Sequence, residues 1–92
     1  ADPLPRMHEM SLALEISRIA EERAGSGGAA RVATVGVEVG DNAGVEITSL
    51  TFCLEAVLAA PPFAGAKPSI TRLPGDVLRV TYLEVDDGRP SD

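Results

Sequence analysis

The chain has no tryptophan, one tyrosine and two phenylalanines, and these few rings are not spaced to stack on successive bases. Positive charge is scarce too: eight Lys and Arg stand against fourteen Asp and Glu, a net charge of −6. Binding a phosphate backbone relies on clustered cations that displace counterions, and no basic stripe occurs, so nucleic acid is not expected as a partner. A single cysteine, Cys53, allows no internal disulfide and gives no sign of a secretory framework. No run reaches the roughly 18 apolar residues that a membrane span needs, and none has the organisation of a signal peptide. These absences predict a cytosolic protein with no membrane partner.

Catalytic combinations are equally thin. Nucleophilic catalysis needs a nucleophile, a base and usually an orienting group, and the one histidine and one cysteine lie at positions 8 and 53. Cys53 sits within a helical pattern on an apolar face, where a small buried hydrophobe is the better reading. The GSGGAA stretch at 25–30 lacks the lysine and spacing of a phosphate loop and follows a helix rather than a strand. The carboxylate pairs Glu21–Glu22 and Asp86–Asp87 fall on a solvated helix face and in a tail. An enzyme is not expected.

What remains is enough for one small domain. Ninety-two residues, 45% of them apolar, bury about 60 to 65% of the surface of the unfolded chain and have no room for a second core. Residues 1–6, ADPLPR, read as an extended leader, either native or an expression remnant. A helix is predicted from Ser11 to Ala24, with Leu12, Ile16, Ile19 and Ala20 on one stripe and GSGG as its stop. His8 and Glu9 then stand just before that helix. RVATVGVEVG at 31–40 alternates as a half-buried strand, with Ala33, Val35, Val37 and Val39 on one face. A second helix covers Thr48 to Ala59, its Leu50, Leu54, Val57 and Leu58 packing inward beside Phe52 and Cys53, until the prolines after Ala60 end it. Two further strands follow, at 67–73 and 77–85, joined by LPGD as a tight turn. In the last strand Leu78 and Val80 share one parity, Leu83 and Val85 the other; a one-residue bulge near Thr81–Tyr82 would bring both pairs to the core.

The order α-β-α-β-β predicts an α+β fold, with two helices on one face of a three-stranded, mainly antiparallel sheet. Pro68 cannot donate to a ladder, which sends its strand to an edge; the last strand is then expected at the centre, antiparallel to both others. Residues 86–92 read as a disordered acidic tail.

His8 is the residue with chemistry to offer. A lone histidine near a terminus is more often solvated or capping than a metal ligand, yet imidazole and backbone nitrogens together suit square-planar Ni(II). The stretches MHEMSLALEISRIAEERA, RVATVGVEVGDNAGVEITSLTFCLEAV and LRVTYLEV, spanning about residues 7–85, resemble the HypA/HybF family of nickel metallochaperones. That resemblance implies nickel delivery during maturation of nickel–iron hydrogenases, and of urease in some organisms. It implies transient Ni(II) binding at Met7, His8 and Glu9 through the terminal amine, backbone nitrogens and the imidazole. It also implies two partners, a hydrogenase maturation GTPase and the hydrogenase large-subunit precursor. Two departures stand out. The family's zinc module, with two CxxC-type pairs between the last two strands, is replaced here by the LPGD turn, so no structural zinc is expected. And the leader, if native, turns the amine of Met7 into an amide. The alternative reading is a metal-free adaptor that keeps the docking surfaces and no longer carries nickel.

Overall fold

The computed structural model describes residues 5–86, with side chains from Glu9 onward. The elements run α1 (Pro5–Ala24), a short 3-10 turn (Ala29–Arg31), β1 (Val32–Gly40), α2 (Ile47–Ala59), β2 (Lys67–Leu73) and β3 (Leu78–Val85). Two helices and a three-stranded sheet make the expected α+β fold. The leader's Ala1–Leu4 and the tail residues 87–92 lie outside the described residues.

The first helix starts earlier than the apolar stripe indicates. It begins at Pro5, not Ser11, so Met7, His8 and Glu9 lie within its first turns rather than ahead of it. Proline suits the opening turn because its missing N–H has no helical acceptor there and its φ is already helical. Ala13, Ile16 and Ala20 are buried, with Leu12 and Ile19 packed beside them. The helix ends where Gly25, at φ 79°, donates back to the Glu21 and Glu22 carbonyls.

The sheet order is β2-β1-β3, with β1 parallel to β2 and antiparallel to β3. Pro68 does sit on an edge strand, but the centre belongs to β1, not to the last strand. The reason is the helix between β1 and β2: a strand-helix-strand crossover returns the chain in the same direction and makes the pair parallel. LPGD is therefore no hairpin turn. It carries the chain from β2 over the end of β1 to β3, and Gly40, Asp41 and Asn42 donate their N–H groups to the carbonyls of Val77, Leu73 and Gly75.

Two register shifts adjust which residues reach the core. Gly36 pairs with Tyr82 and Val37 with Val80, so Thr81 is the extra residue of a bulge at the position expected. Leu78, Val80 and Leu83 consequently pack inward, while Val85 remains exposed at 56%. A second shift lies between Val32 and Thr34; it buries Val32 and leaves Ala33 exposed, against the expected alternation. The carbonyl of Val80, beside the first bulge, accepts from Arg23 Nη1 at 2.9 Å, which ties the end of α1 to the sheet. On the helix-free face, the Tyr82 ring lies across Gly36, where a Cβ would meet ring atoms at 2.0–2.6 Å.

Between sheet and helices, Val35, Val37 and Val39 meet Leu50, Leu54 and Leu58, all 1% exposed or less. Phe52, expected inside, is 73% exposed. The second helix is apolar around most of its circumference, and the sheet-facing side is filled by the three leucines.

Candidate functional site

The Met7–His8–Glu9 segment occupies the second half of the first turn of α1 and the start of the next. The side chains of Met7 and His8 lie outside the described residues; their backbone is helical. In a helix beginning at Pro5, the N–H of Met7 belongs to the opening groups that have no acceptor within the helix, whereas that of His8, fourth in the helix, is the first to enter the helical ladder. The Met7 nitrogen therefore has no helical acceptor even though the segment is helical.

Glu9 has the most defined position of the three. Its side chain is only 2% exposed, the one charged residue buried among the described residues. Oε2 accepts from the backbone N–H of Glu46 at 3.1 Å, and Oε1 is buried without a hydrogen-bond partner. Glu46 is the N-cap of α2: its own carboxylate accepts from the N–H groups of Ser49 at 2.9 Å and Thr48 at 3.3 Å. The Ser49 hydrogen bond leads the effects that hold the Glu46 carboxyl below its usual titration range.

The arrangement is a capping box completed from another helix. In the usual box, a Glu or Gln three residues into the helix reaches back to the N-cap N–H. That position in α2 is Ser49, and Glu9 of α1 supplies the missing acceptor instead. Two carboxylates thus converge on the positive end of α2, where the helix dipole favours negative charge. Sequence reasoning missed Glu46. The available signal was a glutamate N-cap with no Glu or Gln three residues on, which leaves its N–H in need of an acceptor from elsewhere.

Among the described residues no three His, Cys, Asp or Glu side chains cluster to hold a metal ion. Cys53 is a buried free thiol in α2. No helix among the described residues is long and apolar enough to cross a membrane.

A family model for hydrogenase/urease nickel incorporation, the metallochaperone HypA, matches residues 7–78. Over 69 residues the chain is 48% identical to the hydrogenase maturation factor HypA of Azoarcus sp. (strain BH72), covering 75% of this chain and 60% of that protein. It is 45% identical to the factor of the same name from Azotobacter chroococcum mcd 1, with 75% and 61% covered. The Paracoccus denitrificans (strain Pd 1222) factor is 41% identical over 84 residues, with 88% and 74% covered. The chain spans about three-fifths of the length of the first two relatives.

Proposed function

Because the chain belongs to the HypA family of nickel-incorporation metallochaperones, we propose that it carries Ni(II) as cargo during maturation of nickel–iron hydrogenases. Met7, His8 and Glu9 hold the ion. The observation that carries this reading is the seat of Glu9: its buried carboxylate fixes the segment against α2 and keeps one oxygen, Oε1, without a partner. An unsatisfied buried acceptor is costly, and a cation or a proton donor relieves that cost. The Met7 backbone nitrogen and the imidazole of His8 add donors of the kind that square-planar nickel accepts. The segment binds and presents the ion; it catalyses no reaction.

The partners in this reading are the maturation GTPase and the hydrogenase large-subunit precursor. The domain carries no structural zinc, since a closed zinc site takes four protein ligands and only the four residues Pro74–Val77 join β2 to β3. Elemental analysis that found about one sulfur-bound zinc per chain would contradict this.

The test is titration calorimetry on a version beginning at Met7. It should bind one Ni(II), giving the yellow, diamagnetic complex of a planar nitrogen site, and His8→Ala should abolish binding with little change in thermal stability. If residues 1–6 are native, Met7 offers an amide where the resemblance implies an amine, and that favours the metal-free adaptor. If the Met7-start protein takes up no nickel, or His8→Ala binds equally well, the adaptor reading stands.

A further inference from the structure

Three of the large hydrophobic side chains left exposed lie on the two helices. Met10 and Leu14 occupy successive turns of α1 at 37% and 54% exposure, and Phe52 projects from α2 at 73%. Between Met10 and Phe52 lies a mostly apolar groove of about 430 Å³, lined by Met10, Thr48, Ser49, Phe52 and Cys53, with exposed Leu14 one turn further along α1. Fold stability does not account for the placement, since an aromatic ring that is nearly three-quarters exposed contributes little to the core. Contiguous exposed apolar surface of this kind marks interaction sites, and aromatic anchors dominate interface energetics.

The charges around the groove define what fits it. No lysine or arginine occurs between Arg31 and Lys67, a stretch that includes all of α2. Glu46 stands at the start of α2 and Glu55 lies one turn beyond Phe52, both exposed; on α1 exposed Glu15 adjoins Leu14. Arg18, one turn past Leu14, is paired with Glu15 and Glu22. The rim is therefore acidic around an apolar floor. A second copy of the chain is a poor match, because each carries a net charge of −6 and self-docking would set carboxylates against carboxylates.

We infer that the groove between α1 and α2 is a docking site for a basic amphipathic helix of a partner protein. One bulky apolar face of that helix covers Phe52 and Met10 with Leu14 beyond them, and its flanking lysines or arginines meet Glu46 and Glu55. Helix-in-groove recognition reads such anchors at i, i+3, i+4 and i+7. The groove begins one residue beyond Glu9, so a docked helix lies beside the Met7–Glu9 segment. The inference does not depend on nickel binding and is tested without metal.

The test uses the isotopically labelled full chain and two synthetic amphipathic helices, one of leucine and lysine, the other of leucine and glutamate. The leucine–lysine helix should shift the amide signals of Met10, Leu14 and the Thr48–Cys53 turns. Phe52→Ser, which leaves the charge unchanged, should weaken its binding about tenfold or more, and Glu55→Lys should weaken it as well. The leucine–glutamate helix should not bind. Shifts spread over the sheet, unchanged affinity in Phe52→Ser, or equal binding of both peptides would overturn the assignment. So would a dimer of the free protein in sedimentation that Phe52→Ser dissolves, since that outcome gives the groove to a second copy. Glu55→Lys keeps the question open to refutation should Phe52→Ser fold poorly.

Discussion

Removing the Glu9 side chain tests how α1 is fixed to α2. In Glu9→Ala the part-buried N–H of Glu46 loses its acceptor, a loss of up to about 1–3 kcal/mol. A favourable charge also leaves the positive end of α2, worth about 0.3–1 kcal/mol. Against this, the partnerless Oε1 no longer has to be buried, which returns on the order of 1 kcal/mol or more. The net expectation is a destabilisation of about 1–2 kcal/mol. For a domain of this size that corresponds to a fall in Tm of roughly 5–15 °C. Glu9→Gln keeps a carbonyl oxygen for the Glu46 N–H, but it forfeits the charge, about 0.3–1 kcal/mol, and sets an amide NH2 in the place of the partnerless Oε1, so it should be destabilised as well. Urea unfolding at neutral pH, with scanning calorimetry, measures both. If Glu9→Ala were as stable as the parent, the buried carboxylate would not be the fastening between the helices. The pair of variants also separates two roles: a Glu9→Gln protein that is folded yet binds nickel more weakly identifies the oxygen as a ligand.

Gly40→Ala should be poorly tolerated, because its Cβ would stand 2.2 Å from the Gly75 oxygen and 2.7 Å from the Val77 nitrogen; overpacking against backbone costs about 1–3 kcal/mol or more, and a melting temperature equal to the parent's would refute the close crossing. Glu46 gives a pH signature: its carboxyl titrates below the ordinary 4.5 when folded, so its stabilising effect is fully present above that value and is lost as pH falls through the lower, folded one. The stability gap between the parent and Glu46→Gln should therefore be widest above pH 4.5 and close in acid; a gap independent of pH would show that the charge contributes nothing to the cap. Cys53, 7% exposed, should react slowly with a thiol reagent until urea unfolds the chain; prompt labelling of the folded protein would place the thiol elsewhere.

Local pattern carried much of the fold. The change of parity between Val80 and Leu83 located the bulge at Thr81, because a strand can bury both parities only by inserting a residue. Pro68 located an edge for an equally local reason, the missing N–H. Strand order was not local. It follows from α2 connecting β1 to β2 as a crossover, and the hairpin reading of LPGD concealed this. Phe52 was misplaced because ITSLTFCLEAVLA is apolar on more than one side, so periodicity alone does not choose which residues meet the sheet. Glu9 was legible as part of a motif but not as a buried anchor. Its partner is a main-chain N–H 37 positions away, and a backbone donor leaves no mark in the side-chain sequence.

The crossing from β2 to β3 has a consequence for what this end of the domain can accommodate. The outer strands flank β1 on opposite sides, so the linker must bridge two strand spacings, about 9.6 Å, while rising over Gly40. Four residues span roughly 13–14 Å at about 3.3–3.6 Å per residue, enough to make the crossing with a few ångströms over. Lengthening is inexpensive: each doubling of a flexible loop costs only about 0.6 kcal/mol in closure entropy. The tip of the linker is thus a port, open to inserted sequence without disturbance of the sheet beneath. It emerges at the end of β1, the same end from which the chain runs on to Glu46 and its bond with Glu9.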